Sequence, residues 1–221
     1  AFQHSGGLCQ GMRIGTSQDG VMAEYYIVND VEMNTAHIPD GVSLENALMV
    51  SDMMTTGFHG VELADVQFGD TVVVIGTGPV GLMAVVAAKL RGAGRIIAVG
   101  SRAKCRELAI HYGASNVVNY KDGDIYAQIM ELTGGKRVDR TVIAGGGTEQ
   151  LPIAYKLTRP GGGIGDLVAA DTPPKIEIDT LDFNRFVAHH KLSGGLCPGG
   201  RRRAERLLSL IQYGRVDPSL M

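Results

Sequence analysis

The chain has 221 residues, 44% hydrophobic and 20% charged, a globular composition long enough to bury a sizeable core. Its 21 basic and 23 acidic residues leave a net charge of −2, so no broad basic field argues for nucleic acid or an anionic membrane. No apolar run reaches the roughly eighteen residues that cross a bilayer. The three cysteines, Cys9, Cys105 and Cys197, are too widely spaced for a disulfide framework or a CxxC zinc pattern.

A reducing cytosol is therefore the expected setting. The start, "AFQHSGGLCQ", has no basic or apolar leader region and no initiator methionine, so the chain is expected to be part of a longer one.

In chain order, "VMAEYYIVND" (21–30) reads as a strand, and "HIPDGVSLENALMV" as a turn entering a helix with Ser43 as N-cap. From residue 71 strand and helix alternate. "TVVVIG" is β-branched and apolar on both faces, as a strand between two helix layers must be. It feeds the alanine-rich helix "PVGLMAVVAAKLRGAG", then the strand "RIIAVGS" and the helix "AKCRELAIHYGA". "NVVNY" (116–120) is the third strand, followed by a helix from an acidic cap in "DIYAQIMELTGG". "RTVIAGG" (140–146) is the fourth, with a helix near 149–158; "GGIGDLVAA" is the fifth, and "KLSGG" ends a sixth. Successive β-α-β units demand right-handed crossovers and a mainly parallel, doubly wound α/β sheet. The segments before 55 and after about 195 break this rhythm and are assigned to a second domain.

Gly76-Thr77-Gly78-Pro79-Val80-Gly81 matches G-x-G-x-x-G, directly after a buried strand and at the start of a long helix. In that setting Gly76 permits the tight turn, Gly78 lets a pyrophosphate approach the backbone, and Gly81 lets the helix pack on the strand. The helix N-terminus adds free N–H groups and a partial positive charge. At the end of the second strand stand Gly100, Ser101 and Arg102, where an acid would pair with a ribose 2′-hydroxyl. A hydroxyl and a planar cation there suit a 2′-phosphate instead, with Tyr120 on the adjacent side of the pocket. The expected cofactor is NADP(H).

The segments "SDMMTTGFHGVELA", "IGTGPVGLMAVVAAKLRGAGRIIAVGSR", "NVVNYKDG" and "GGLCPGGRRRAERL" resemble the NADP-dependent, zinc-containing secondary alcohol dehydrogenases of anaerobic bacteria and protists. These are a branch of the medium-chain dehydrogenase family. The resemblance implies a homotetramer interconverting small secondary alcohols and ketones with NADP(H) and one catalytic zinc, in the cytoplasmic setting that the cysteine usage already suggests. It assigns 1–54 to part of a mainly β, GroES-like catalytic domain, 55–196 to a Rossmann domain, and 197–221 to a truncated return of the catalytic domain.

By position, Asp52 resembles the family's carboxylate zinc ligand, and Thr77, Gly78, Pro79 and Val80 its pyrophosphate turn. Gly100, Ser101, Arg102 and Tyr120 match its 2′-phosphate pocket. Leu167, Val168 and Ala169 fall where the backbone runs under the nicotinamide, though "DLVAAD" replaces the N-x-N-Y-like run of the pattern. Met12 stands where a bulky aromatic is expected. The cysteine and histidine zinc ligands and the proton relay are expected upstream of residue 1, which leaves the zinc site incomplete and the chain alone inactive. None of His4, His37 and His59 has a spacing that completes a site with Asp52.

Other features read as structural. Cys105 and Cys197 are packing residues. The imidazoles of "HHK" (189–191) would point to opposite faces of a strand. The arginines of "RRRAER" (201–206) form a solvated helix face. Two rival functions remain: a chain that only binds NADP(H), and a zinc-free quinone reductase of the same fold, against which Asp52 within "DMMTTGFHG" speaks.

Overall fold

A computed structural model describes residues 19–168, 177–181 and 187–221. Met12 and Ala169, singled out above, lie outside the described residues. The chain divides into two compact units, one of residues up to Thr56 together with Leu196–Met221, the other Gly57–Gly195.

The first unit opens with the short helices α1 (Val31–Asn34) and α2 (Leu44–Leu48). Ser43 caps α2 as its sequence predicts, its hydroxyl accepting from Asn46 N–H at 3.2 Å. A π-helical turn, Val50–Met54, then runs straight into α3 (Thr55–Leu63). Residues 21–30 depart from the expected strand. They have no ladder partner among the described residues, and Met22 and Tyr25 are almost wholly exposed. β propensity alone does not make a strand, because a strand exists by pairing.

The second unit alternates as expected. Its elements are β1 (Thr71–Ile75), α4 (Pro79–Leu90), β2 (Arg95–Val99), α5 (Ala103–Tyr112) and β3 (Asn116–Val118). After these come α6 (Ile125–Leu132), β4 (Val138–Ile143), α7 (Gln150–Leu157), β5 (Thr158–Asp166) and β6 (Lys191–Gly194). The strands form one parallel sheet in the order β3-β2-β1-β4-β5-β6. That is the doubly wound Rossmann order, whose direction of winding reverses between β1 and β4. Ile75 is level with Val99 on one side and Ile143 on the other, so three strand ends meet at this switch point.

Val72–Ile75 are buried throughout, and α4 buries Leu82, Met83, Ala84 and Val85. Its partner helix comes very close. A Cβ at Gly57 of α3 would lie 2.5 Å from the Val80 carbonyl oxygen, and one at Gly165 of β5 would lie within 2.2 Å of the Gly60 carbonyl oxygen on α3. Part of the glycine surplus thus serves backbone-to-backbone packing.

His189 and His190 precede β6 and are not part of it. His189 has a left-handed backbone, φ 53°, and is exposed. His190 packs edge-on against Tyr155 with its Nε2 3.0 Å from the Thr158 carbonyl oxygen. The opposite-faces reading of this pair gives way to a turn followed by a half-buried ring.

The last helix, α8 (Arg201–Gln212), returns to the first unit and buries Leu207 and Leu208. Its arginines are only partly a solvated face. Arg201 donates to the Thr35 carbonyl at 2.6 Å and pairs with Glu32 at 2.8 Å, and Arg203 donates to Thr55. Arg202 and Arg206 are exposed.

At the end of the strands opposite the switch point, charges tie the strand starts together. Asp70 accepts from Arg140 Nε at 2.9 Å, and Asp139 accepts from Thr71 N–H at 2.8 Å and from Arg159. Burial works to raise the Asp139 pKa. The Arg159 hydrogen bond, the Thr71 N–H and the two arginine charges together outweigh it and hold the carboxyl below its usual range. A depressed folded pKa contributes stability that is full above the unfolded value and lost as pH falls through the folded one. Asp139→Asn should therefore cost on the order of 1 kcal/mol at pH 7, discounted because Arg159 is well exposed. Denaturant melts of both proteins across the acid range should show the gap closing as pH falls below the usual carboxylate range; a gap of unchanged size in strong acid would refute the assignment.

Candidate functional site

A cavity of about 670 Å³ opens where β1, β2 and β4 end. Its floor is the turn after β1. Gly76 has φ 107°, and a Cβ there would meet the Ala144 backbone at 2.8 Å. A Cβ at Gly81 would fall 1.9 Å from the Gly76 carbonyl oxygen, so only glycine lets the first turn of α4 sit on the strand end. Gly78 is the N-cap of α4 and makes no side-chain cap. The first N–H groups of this twelve-residue helix therefore have no partner from its cap and suit an anion.

One wall comes from the ends of β2 and β3. Ser101 Oγ donates to Tyr120 Oη at 2.8 Å, fixing both hydroxyls at the rim. Arg102 is the N-cap residue of α5, and its Nη2 lies 3.7 Å from where a Gly78 Cβ would be. Its guanidinium thus leans over the glycine turn and forms no ion pair with any described residue, which leaves a planar fork of donors suited to an anion.

Gly100 lines the cavity beside them. The space its missing side chain leaves is occupied by Thr77, whose Oγ1 would be 1.9 Å from a Cβ at position 100.

The opposite wall follows β4 and was not foreseen. It contains Gly145, Gly146, Glu149 and Gln150, with Ile125 and Ile153 as apolar surface. The glycine run after a buried strand, at the switch point, was the available signal. The Gly147 N–H, Glu149's own N–H and the Gln150 amide hold the Glu149 carboxyl below the usual range. Asp124 also lines the cavity, but its Oδ1 is engaged by Ala127 N–H as the α6 cap.

The structure thus brings Gly76, Thr77, Gly78, Gly100, Ser101, Arg102 and Tyr120 to one cavity. Pro79, Val80 and Gly81 form the adjoining helix turn behind it. Leu167 and Val168 do not line it. Leu167 N–H bonds to Ile143, and Val168 packs on the core with its N–H on Asp166. Burial pushes the Asp166 carboxyl up, only partly offset by that N–H.

Asp52 lies in the π-turn, exposed, accepting from Thr56 Oγ1 at 2.9 Å. The same hydroxyl is 3.4 Å from Cys197 Sγ. Among the described residues no three His, Cys, Asp or Glu side chains lie together as a metal site. Zinc takes at least three protein ligands, so these residues alone do not fit the ion. For a dinucleotide the fit is good: a glycine-rich turn, uncapped N–H groups and an unpaired cation face one cavity.

Comparison with known proteins agrees with this geometry. Residues 79–212 match the family model described as zinc-binding dehydrogenase. The chain is 54% identical over 98% of its length to the NADP-dependent isopropanol dehydrogenase of Thermoanaerobacter brockii, and 52% identical over 98% to that of Clostridium beijerinckii. It covers 62% of the length of each. Among solved structures, the zinc-dependent alcohol dehydrogenase 2 of Streptococcus pneumonia superposes with a TM-score of 0.79 at 26% identity, covering 90% of this chain and 56% of that one. Benzyl alcohol dehydrogenase of Acinetobacter calcoaceticus gives 0.74 at 26%, over 83% and 51%. With its glycine turn, parallel sheet and family match in agreement, the chain belongs to the zinc-binding dehydrogenases.

Proposed function

We propose that the intact protein is an oxidoreductase that moves a hydride between NADP(H) and a small secondary alcohol or ketone. The observation that carries this reading is Arg102 over the glycine turn, with the Ser101–Tyr120 pair beside it and no acid at the end of β2. The names of the relatives at 54% and 52% identity support the substrate class.

In this reading the α4 N-terminus and the Gly76–Gly78 turn take the pyrophosphate. Arg102, Ser101 and Tyr120 take the 2′-phosphate. NADP(H), when bound, supplies the nicotinamide carbon that accepts or gives the hydride. The chain's part is placement: holding both phosphates fixes where the nicotinamide end leaves the sheet. Leu167 and Val168 are proposed to run under that end.

Asp52 is proposed as one zinc ligand of the whole protein. Its place in a π-turn is in keeping with that role, since such turns recur at functional sites. The zinc-free quinone reductase reading gives the exposed Asp52 carboxylate no metal to bind. We further propose a cytoplasmic homotetramer with no nucleic-acid or membrane partner. No helix among the described residues is long and apolar enough to cross a membrane.

Two outcomes test the assignment. Arg102→Ala should weaken NADP⁺ binding by about 1.5–3 kcal/mol, the worth of a charged hydrogen bond, and leave NAD⁺ binding nearly unchanged. Equal losses for both cofactors in a calorimetric titration would remove Arg102 from the 2′-phosphate. In the full-length protein, NADP⁺-dependent oxidation of 2-propanol should require bound zinc. There Asp52→Ala should lose metal and turnover but keep NADP⁺ affinity; full zinc content and rate in that variant would make Asp52 structural.

A further inference from the structure

We infer that Thr77, in the phosphate turn, is a specificity-determining residue that bars an acid from the end of β2 and so locks the site against NAD(H). The inference rests on the NADP(H) reading above. Its basis is the contact between positions 77 and 100. A Cβ at Gly100 would lie 1.9 Å from Thr77 Oγ1 and 2.9 Å from both Cβ and Cγ2 of Thr77. Rotating the threonine moves its hydroxyl and methyl but leaves its Cβ in place. Thr77 is only 6% exposed and β-branched, so it has little freedom to turn away.

Gly100 is not among the positive-φ glycines, so its backbone would accept an L residue. The barrier is purely steric, and it comes from the neighbouring strand's turn. Discrimination between the two cofactors depends on position 100, where a carboxylate would accept from a 2′-hydroxyl and repel a 2′-phosphate. The structure makes that position subordinate to position 77. Two parts of the cofactor site, the pyrophosphate turn and the 2′ pocket, are therefore coupled by one van der Waals contact.

The coupling has a sharp consequence. Gly100→Asp alone should weaken both cofactors without reversing their order. Pairing it with Thr77→Ala should recover only part of the shift, because the 1.9 Å contact goes but the Cβ at 2.9 Å remains. Pairing it with Thr77→Gly should free the space and shift the ratio of NADP⁺ to NAD⁺ dissociation constants at least about 30-fold towards NAD⁺. A folded Gly100→Asp variant that reverses the preference as far as the Thr77→Gly pair would overturn the inference.

A second arm needs no cofactor. Gly100→Ala should lower the melting temperature of the otherwise unchanged protein but have little effect in the Thr77→Gly background. Equal effects in both backgrounds would also overturn it. Wild-type protein that binds NAD⁺ as tightly as NADP⁺ would defeat the proposed function and, with it, the specificity role, while the melting comparison would still decide the contact itself.

Discussion

A helix can begin almost on top of a buried strand's end only where the turn between them carries no obstructing side chain. Here that turn is Gly76–Gly81. The missing Cβ of Gly81 leaves room for the Gly76 carbonyl, and the left-handed φ of Gly76 turns the chain against the Ala144 backbone after β4. Lift α4 from this seat and its uncapped N-terminus no longer points into the cavity. The buried face of Leu82, Met83 and Val85 would also leave the sheet. Fold and site thus share one steric constraint, which is why a substitution in this turn tests both.

Charge is distributed with similar economy. Paired charges gather at the strand starts, where Asp70, Asp139, Arg140 and Arg159 satisfy one another. At the strand ends Arg102 has no acidic partner among the described residues, while the acids nearby are already engaged. Asp124 caps α6, and Glu149 is held by its own loop. The imbalance favours an anion at the rim beside Arg102, next to the uncapped N-terminus of α4.

The order of the parallel sheet was legible because buried β-branched runs alternate with glycine-ended helices from Thr71 onward. The glycine turn and the Ser101-Arg102 rim were legible because their chemistry lies within short, contiguous segments. Pairwise facts were not. That Gly100 accommodates Thr77, two residues on different strands' turns, follows only from how β1 and β2 lie side by side. The Glu149 wall was missed because its glycine run carries no charge pattern of its own. The strand expected at 21–30 failed for the complementary reason: its apolar residues predict pairing, and pairing depends on a neighbour. His190 shows the same limit, since its turn is set by the left-handed backbone of His189 rather than by residue type.

The central claim is that a cation at the end of β2 reads a phosphate on the ribose 2′ position. Its most direct test compares two isomers of equal charge, 2′,5′-ADP and 3′,5′-ADP, by calorimetric titration of the protein at low and moderate salt. The account predicts that the 2′,5′ isomer binds at least about ten-fold tighter, which is about 1.4 kcal/mol, with the advantage shrinking as salt screens the contact. Equal affinity for the two isomers would contradict it.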